Sequence, residues 1–220
     1  MFQEIIYEDD SVIVVNKNPG IAVVSGRGIK DSEILCKYLE QIRGIKIFTV
    51  HRLDRETSGV IILAKTAKAH RNLCLQFEKR ETEKTYLAVV SGKPGYSGSI
   101  SEPIYQFGSG RMGVDKRGKK SQTNYFVEKE FRSASLLKLH PITGRRHQIR
   151  VHMYHIGHPV LGDRIYGFPR PVGNVSRLML HAHTLTVKLE DGIKKTFCAS
   201  TDSQWNAIME RLQSETEVCA

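Results

Sequence analysis

Cysteine is scarce in this 220-residue sequence, and its four copies, Cys36, Cys74, Cys198 and Cys219, show no paired spacing. That scatter argues against a disulfide scaffold and a zinc ribbon, and it favours a reducing compartment. The sequence also lacks a basic segment followed by an apolar one at its start, and no apolar run is long enough to span a bilayer. We therefore expect a cytoplasmic protein that does not cross a membrane.

Acidic residues are also in short supply. Lysine and arginine number 33 against 23 aspartates and glutamates, which gives a formal net charge of +10 and a pI near 9.5. This excess favours a polyanionic partner such as nucleic acid, although a generally basic cytosolic protein has the same balance. Hydrophobic residues make up 40% and charged residues 25%, as in globular proteins with a sizeable core.

The distribution of apolar residues predicts a mixed α and β protein rich in strand. Six β-rich runs are bounded by turn-forming residues: Val12–Asn16, Val60–Ala64, Thr85–Ser91, Ser121–Glu128, Ser135–His140 and His183–Glu190. Asp191-Gly192, after the last run, indicates a hairpin because Gly and Asx residues adopt positive φ at little cost. The sequence shows no internal repeat, low-complexity tract or clear linker, so we expect one domain over residues 1–220.

Three helices are expected from apolar residues that recur on one face. The first follows the cap candidates Asp31 and Ser32, and another carries Trp205 as a core anchor near the end of the sequence. In the third, Met153 lies on the side that faces the core and Gly157 suits the left-handed position at the end of the helix.

A polar segment lies between two apolar ones, and it has the sequence His51-Arg52-Leu53-Asp54-Arg55-Glu56-Thr57-Ser58-Gly59. The extended run Ile47–Val50 precedes it and the strand Val60–Ala64 follows it. One carboxylate, that of Asp54, is thus placed in a loop between two buried strands, a position typical of catalytic groups. Taken alone, an aspartate between two arginines more often forms a structural ion pair.

A second motif begins at Pro141 and reads Pro-Ile-Thr-Gly-Arg-Arg-His-Gln-Ile-Arg-Val-His, continuing to Gly157-His158-Pro159-Val160-Leu161-Gly162-Asp163. Two shorter segments are Lys84-Thr85-Tyr86-Leu87-Ala88-Val89-Val90-Ser91-Gly92 and Leu178-Met179-Leu180-His181-Ala182. Together with the Asp54 segment, in this order along the chain, they resemble the signature blocks of the RluA-type pseudouridine synthase family. One departure is Asn18, which stands where the family usually has proline and affects a local turn.

The resemblance implies the pseudouridine synthase fold, an α+β fold whose mixed, largely antiparallel central sheet has flanking helices and an RNA-binding cleft. It implies a single catalytic domain without the N-terminal RNA-binding module of many relatives. Such an enzyme isomerises specific uridines of structured RNA, here ribosomal RNA, tRNA or both, to pseudouridine. We expect it to act as a monomer.

The resemblance also assigns roles to individual residues. Asp54 is implied to be the catalytic aspartate, and Arg150 to pair with it and keep it ionised. Tyr86 would lay its ring on the target uracil once that base is flipped out of the RNA stack. Arg52 would either enter the RNA and hold the displaced stack or contact a surface phosphate. Further RNA-binding candidates are His51, Arg145 and His147.

The implied reaction breaks the bond between N1 and the ribose, turns the uracil, and joins C5 to the same anomeric carbon. It involves no redox change, no hydrolysis and no external group transfer, so no cofactor is expected. A carboxylate can stabilise cationic character at the ribose, attack as a nucleophile, or remove a sugar proton. The sequence leaves these three routes open.

A basic insertion is predicted from Phe107 to Lys120. It contains a single acid, Asp115, and five cations: Arg111, Lys116, Arg117, Lys119 and Lys120. We expect a flexible loop whose contacts with RNA phosphates position the substrate and do not read bases. The alternative is a solvated turn kept soluble by its lysines.

Two other functions compete with this one. The histidines that follow His147 suggest a metal site, but no His-Glu-x-x-His pattern occurs and carboxylates are few, so we expect none. A noncatalytic RNA-binding module or RNA chaperone would need the positive charge but not Asp54, Tyr86 and Arg150 together. Their joint presence favours an enzyme.

Overall fold

The computed structural model describes residues 3–26, 28–168 and 175–217. The chain forms two compact units, Met1–Lys84 with Ala182–Ser200 and Thr85–His181 with Thr201–Ala220. A single catalytic domain over residues 1–220 stays a prediction, and Cys219 lies outside the described residues. No helix in the described part of the chain is long and apolar enough to cross a membrane.

The first unit is built mainly from strands. With elements numbered along the whole chain, it contains β1 (Glu4–Glu8), β2 (Val12–Lys17), α1 (Leu35–Arg43), β3 (Phe48–Thr49), β4 (Ser58–Ala64), α2 (Ala67–Lys79), most of β11 (Leu180–Lys188), and β12 (Lys194–Cys198). The strands neighbour one another in the order β1-β2-β4-β11, with β3 beside β4 and β12 beside β11. Every residue of β4 is buried, as a continuous apolar run predicts for a central strand.

The second unit combines a sheet with two helices. It contains most of β5 (Glu83–Ser91), then β6 (Ser97–Ile100), β7 (Ile104–Gln106), β8 (Met112–Val114), β9 (Thr123–Glu130), β10 (Ala134–Pro141), α3 (Gln148–His155) and α4 (Ser203–Glu217). Strand order is β5-β10-β9-β6, and β7 and β8 form a separate hairpin. Its core joins the buried Leu137, Met153 and Trp205, so Trp205 is the core anchor that its spacing predicted.

The α+β prediction is confirmed, because helices α1 to α4 accompany strands that pair mostly antiparallel within each unit. Helix α3 ends as predicted, with Gly157 at φ 84°, and the Asp191-Gly192 turn joins β11 to β12. The predicted caps of α1 were wrong. Asp31 and Ser32 form a short 3-10 turn, and the residue before α1 is Ile34, which makes no side-chain cap.

Helix α2 was not predicted from the sequence. It begins after Thr66, whose Oγ1 accepts a hydrogen bond from the Ala69 backbone N–H at 3.1 Å. Its buried side includes Gln76, which donates to the Lys188 carbonyl at 2.7 Å and accepts from the Lys188 N–H at 2.8 Å. A glutamine that is buried because it hydrogen-bonds the backbone of a strand interrupts the apolar pattern on which helix prediction depends.

Candidate active site

The loop that carries Asp54 connects β3 to β4 in the first unit. Leu53 is buried at 5% exposure and anchors the loop, while the next residue, Asp54, is half-buried. The Thr57 backbone N–H donates to the Asp54 carbonyl at 3.1 Å, which closes a tight turn. Arg52 and Glu56 are exposed on either side of this turn.

A buried lysine braces the loop from β2. The Nζ of Lys17, which is fully buried, donates to the carbonyls of Asn18, Ile21 and Arg55 at 3.0, 2.8 and 3.0 Å. The Gly20 N–H also donates to the Arg55 carbonyl at 2.9 Å, and the Arg55 Nε donates back to the Gly20 carbonyl at 2.9 Å. The residue after Asp54 is therefore fixed through its backbone and its side chain.

The position at which the family usually has proline is hydrogen-bonded here. The Asn18 N–H donates to the Gln3 Oε1 at 2.8 Å, and Gln3 is 3% exposed. Proline has no N–H and could not make this bond. This bond therefore connects the turn at Asn18–Gly20, which is hydrogen-bonded to Arg55, to the segment before β1.

Gly59 is required at the end of the motif by close packing. It has a φ of 113°, and a Cβ built on it would lie 2.2 Å from the Ala182 carbonyl oxygen. Any side chain would thus be strained in its backbone and would collide with β11. The glycine of the Thr57-Ser58-Gly59 segment allows β4 to approach its neighbour closely.

His51 has a structural place at the start of the loop. Its Nε2 accepts a hydrogen bond from the Ile62 N–H at 3.2 Å, and its ring stacks on Phe77 with centroids 4.5 Å apart. Burial, with a smaller effect of the Lys84 charge, lowers the pKa of His51 to about 3. The ring is therefore neutral at physiological pH, and its predicted contact with RNA stays a prediction.

The remaining predicted residues of the site lie in the second unit. Tyr86 lies on β5 opposite Leu139 of β10, half-buried at the edge of the core. The Nε and Nη2 of Arg150 donate to the two oxygens of Asp163 at 2.6 and 2.9 Å. Burial alone would raise the pKa of Asp163, but Arg150 and two backbone N–H groups together lower it. The predicted pairing of Arg150 with Asp54 stays a prediction.

Gln148 organises the start of helix α3. Its Oε1 accepts from the Thr143 Oγ1 at 2.6 Å and from the Arg145 N–H at 3.0 Å, while its Nε2 donates to the Thr123 Oγ1 at 3.0 Å. The Arg145 Nε donates to the Lys120 carbonyl at 3.4 Å. The motif around His147 is therefore held by hydrogen bonds within the second unit.

Tyr166 is an important residue that the sequence did not single out. Its hydroxyl accepts from the Met112 N–H at 3.2 Å and lies 2.8 Å from the Nδ1 of His147, to which it can donate. Burial raises the pKa of Tyr166, which favours this protonated, donating form. The guanidinium groups of Arg111 and Arg150 each lie 5.2 Å from its ring centroid. Its position three residues after Asp163 was the available signal.

The predicted basic loop is more ordered than expected. Residues 107–120 include β8, and the Lys119 N–H and the Ile104 carbonyl are 2.9 Å apart at a further bridge. The guanidinium of Arg117 forms two hydrogen bonds with Asp115 at 2.9 and 2.8 Å and lies 4.5 Å from the Tyr105 ring centroid. The prediction of a flexible loop was wrong because backbone pairing and this ion pair order it; RNA contact stays a prediction.

Histidines in the second unit have structural partners. His152 is buried between the Thr123 Oγ1 and the Glu102 carbonyl, at 2.9 and 3.0 Å, and burial lowers its pKa. The His158 Nδ1 lies 2.8 Å from the Ser91 carbonyl. Within residues 3–26, 28–168 and 175–217, no group of three or more His, Cys, Asp or Glu side chains is arranged to hold a metal ion.

Comparison with known proteins identifies similar sequences and structures. The profile of a family described as RNA pseudouridylate synthase matches residues 11–155. The chain is 40% identical over 195 residues to a ribosomal large subunit pseudouridine synthase C of Buchnera aphidicola, covering 83% of this chain and 62% of that protein. It is 35% identical over 233 residues to a synthase D of Yersinia pestis, covering 97% and 72%.

A solved structure shows the same fold. The human RNA pseudouridylate synthase domain containing 1 has a TM-score of 0.78 and 26% identity, with 96% of this chain and 95% of that chain covered. Relative to the curated bacterial proteins, this chain spans 62% of the Buchnera sequence and 72% of the Yersinia sequence.

Proposed function

The chain belongs to the RNA pseudouridylate synthase family, whose members are isomerases that convert uridine to pseudouridine in RNA, and from this we propose that Asp54 is its catalytic carboxylate. The braced loop carries the proposal. Asp54 is half-buried and flanked by Arg55, whose carbonyl receives two hydrogen bonds from Lys17 and Gly20. A carboxylate that must meet one ribose carbon benefits from such a rigid support.

Tyr86 and Arg150 complete the proposed catalytic set. The half-buried ring of Tyr86 offers an aromatic surface for a flipped uracil, and its hydroxyl offers one polar contact. Arg150 keeps the Asp54 carboxylate ionised as a positioning residue. Its bidentate pair with Asp163 supports this role by fixing the plane of the guanidinium.

We propose RNA contacts for further residues according to how exposed their side chains are. Arg52 is exposed and forms no ion pair among the described residues, which suits a residue that enters the RNA or contacts a phosphate. We assign weaker contacts to His51, Arg145 and His147, since each side chain already has a partner within the protein. In the segment that follows β8, Lys116, Lys119 and Lys120 are exposed and available to phosphates.

The substrate we propose is large-subunit ribosomal RNA, because the Buchnera and Yersinia relatives are named for it. Those two relatives carry the different designations C and D, so the modified uridine does not follow from similarity alone. The sequence-based alternative of tRNA is decided by the experiment below. Cytoplasmic location and a monomeric state stay predictions.

The test measures tritium release from RNA labelled at uracil C5, because isomerisation exchanges that hydrogen and binding does not. Unmodified large-subunit ribosomal RNA and tRNA are offered separately. We expect release from ribosomal RNA, abolished by Asp54→Asn with little loss of RNA affinity. Glu56→Gln is the matched control, since Glu56 is a nearby exposed acid, and it should retain activity.

The same assay identifies the competing functions. Release from tRNA alone would replace the proposed substrate. Tight binding to both RNAs without release would indicate a noncatalytic RNA-binding module. A folded Asp54→Asn variant with near wild-type turnover would exclude Asp54 as the essential group.

A further inference from the structure

Tyr166 is the largest side chain of a small core that joins the β7–β8 hairpin to helix α3. The side chain is 1% exposed and packs with Ile104 and Met112 of the hairpin and with Val151 of α3. All four residues belong to the second unit. A phenylalanine ring would fill this space equally well, so packing alone does not account for the hydroxyl.

The hydroxyl of Tyr166 has two partners, which together fix the direction of its proton. It accepts a hydrogen bond from the Met112 N–H at 3.2 Å, and it lies 2.8 Å from the Nδ1 of His147. A backbone N–H can only donate, so the phenol proton points to the Nδ1. In a neutral imidazole one ring nitrogen accepts and the other carries the proton. Neutral His147 is therefore held as the tautomer with its proton on Nε2.

His147 also has an uncommon backbone conformation. It precedes α3 with a φ of 56°, and its side chain makes no cap bond to the helix. A left-handed backbone at a residue other than glycine persists where neighbouring groups hold it. Here the Val151 N–H donates to the His147 carbonyl at 2.9 Å, and the Tyr166 hydroxyl holds the ring. Both the backbone and the ring of His147 are thus fixed in place.

The ring of Tyr166 lies beside two guanidinium groups. The Cζ atoms of Arg111 and Arg150 are each 5.2 Å from its centroid. Arg150 is paired with Asp163, whose Oδ1 also accepts from the Tyr166 N–H at 3.0 Å. Arg111 is exposed and forms no ion pair with any residue that the structure describes. It is therefore directed by an aromatic ring and not by a carboxylate, which leaves its charge for an anion.

Tyr154 adds an exposed ring to this group. It lies on α3 and is 43% exposed. Its ring centroid is 6.4 Å from that of Tyr166 and 5.9 Å from the Cζ of Arg111. An exposed aromatic ring beside a cation suits an unpaired nucleotide, because the base can stack on the ring while the phosphate meets the charge.

We propose that Tyr166 is a positioning residue that holds Arg111, His147 and Tyr154 together as a contact surface for one unpaired nucleotide of the bound RNA. Its hydroxyl joins the hairpin to the start of α3, and its ring directs Arg111. The guanidinium of Arg111 takes the phosphate and the ring of Tyr154 takes the base, while the buried Tyr166 touches neither. Because the ligand is RNA, this inference rests on the proposed function.

The first experiment tests the hydroxyl without RNA. Tyr166→Phe removes it and keeps the ring. Tyr125→Phe is the matched control, because Tyr125 is a buried tyrosine of the same unit whose hydroxyl donates to the Pro94 carbonyl at 2.8 Å. In nitrogen NMR of the histidine rings, the Nδ1 signal of His147 should shift in Tyr166→Phe alone. The Met112 amide should exchange with deuterium about two- to tenfold faster in that variant, as the loss of one hydrogen bond predicts.

These two measurements separate positioning from packing. A phenol that only fills the core would leave both unchanged when the ring is kept, and that result would overturn the proposal. Equal changes in Tyr125→Phe would overturn it as well, because they would be a general effect of removing a buried hydroxyl. If Tyr166→Phe fails to fold, the wild-type spectrum decides: His147 must carry its proton on Nε2, and the opposite tautomer would contradict the proposal.

The second experiment measures binding and C5 tritium release with unmodified large-subunit ribosomal RNA. Tyr166→Phe should raise KM about two- to tenfold with kcat retained, because the contact surface is loosened while the ring still lies beside Arg150. Arg111→Gln should weaken binding and reduce the slope of log affinity against log salt by about 0.7, whereas Tyr154→Ala should weaken binding without changing that slope. Tyr154→Phe should recover most of the lost affinity.

A double variant tests whether these residues act as one surface. Arg111→Gln combined with Tyr166→Phe should weaken binding by less than the product of the two single effects, because Tyr166 acts partly through Arg111. Independent effects, an unchanged KM in Tyr166→Phe, or an equal rise in Tyr125→Phe would overturn the proposal.

The two proposals can fail independently. If the wild type releases no tritium but Tyr166→Phe weakens RNA binding and alters the His147 signal, the contact surface stands and the isomerase function falls. If release depends on Asp54 while Tyr166→Phe matches the wild type in both experiments, the function stands and the contact surface falls.

Discussion

The loop that carries Asp54 and the β7–β8 hairpin, taken here together with the basic residues that follow β8 up to Lys120, are stabilised in different ways. The loop is supported by the fully buried Lys17, which donates hydrogen bonds to three backbone carbonyls, and by Gly59, which packs against the backbone of Ala182. In the hairpin, the charged pair Arg117–Asp115 joins an exposed arginine to a half-buried aspartate. Buried polar contacts to the backbone fix geometry, whereas exposed charges add little stability and remain able to bind a partner.

The largest effect expected from this difference concerns two glycines with positive φ. Gly59→Ala should destabilise the protein by about 3 kcal/mol or more, because the new Cβ would meet the Ala182 carbonyl as well as strain the backbone. Gly110→Ala in the hairpin, where no atom lies within 4 Å of the new Cβ, should cost only about 1 kcal/mol. Chemical denaturation measures both. Equal losses of stability would contradict the comparison.

A second effect, negligible at neutral pH and growing as the pH falls, is a pH dependence confined to the loop. In the folded protein the pKa of His51 is about 3, against an ordinary value of 6.5. Between these two pH values the unfolded chain binds a proton at His51 and the folded chain does not. Stability should fall by up to about 1.4 kcal/mol per pH unit between these values. His51→Gln, which keeps an acceptor for the Ile62 N–H, should flatten the curve.

The hairpin provides the control for this titration. Arg117 lowers the pKa of the half-buried Asp115 to about 2 from 3.8. Its contribution is therefore present above pH 3.8 and disappears as the pH falls towards 2. Asp115→Asn should leave the shape of the stability curve unchanged above pH 4. If the stability of His51→Gln fell with decreasing pH as steeply as that of the wild type, another group would be the cause of the acid sensitivity.

The smallest effect on stability is expected from the hairpin lysines. Replacing Lys116, Lys119 and Lys120 by serine should change the free energy of unfolding by less than about 0.5 kcal/mol, because all three are exposed and form no ion pair with any residue that the structure describes. The salt slope of RNA binding should nevertheless fall by about 0.7 to 0.9 for each phosphate that is no longer neutralised. The control replaces three exposed lysines of the first unit, Lys37, Lys46 and Lys68. An equal change of slope in the control would assign the effect to net charge.

The sequence predicted most central strands and the C-terminal end of α3, because these depend on local apolar periodicity and on one glycine. It also located the loop around Asp54 from its pattern of residue types. The brace by Lys17 and the bond from Gln76 to Lys188 were not predictable in this way, since each joins residues distant in sequence. The order of the 107–120 segment was missed because its pairing to Ile104 is a backbone feature that side-chain composition does not reveal.

Tyr166 illustrates a different limit of sequence reasoning. Its hydroxyl serves both the Met112 N–H and His147, and its ring lies beside two arginines. Apart from the position of Tyr166 three residues after Asp163, nothing in the spacing of these residues indicates that one buried phenol joins them. A buried polar group with several partners becomes visible only when the chain has folded around it.

The hydrogen bond from Asn18 to Gln3 also gives this chain a reporter of loop opening. A proline at position 18 would carry no amide proton, whereas the Asn18 amide is protected by a buried acceptor. Its rate of exchange with deuterium should therefore follow the opening of the turn that grips Arg55. Slower exchange in the presence of RNA than in its absence would show that the substrate stabilises the turn that supports the Asp54 loop. The amide of Asn18 reports this opening without an attached probe.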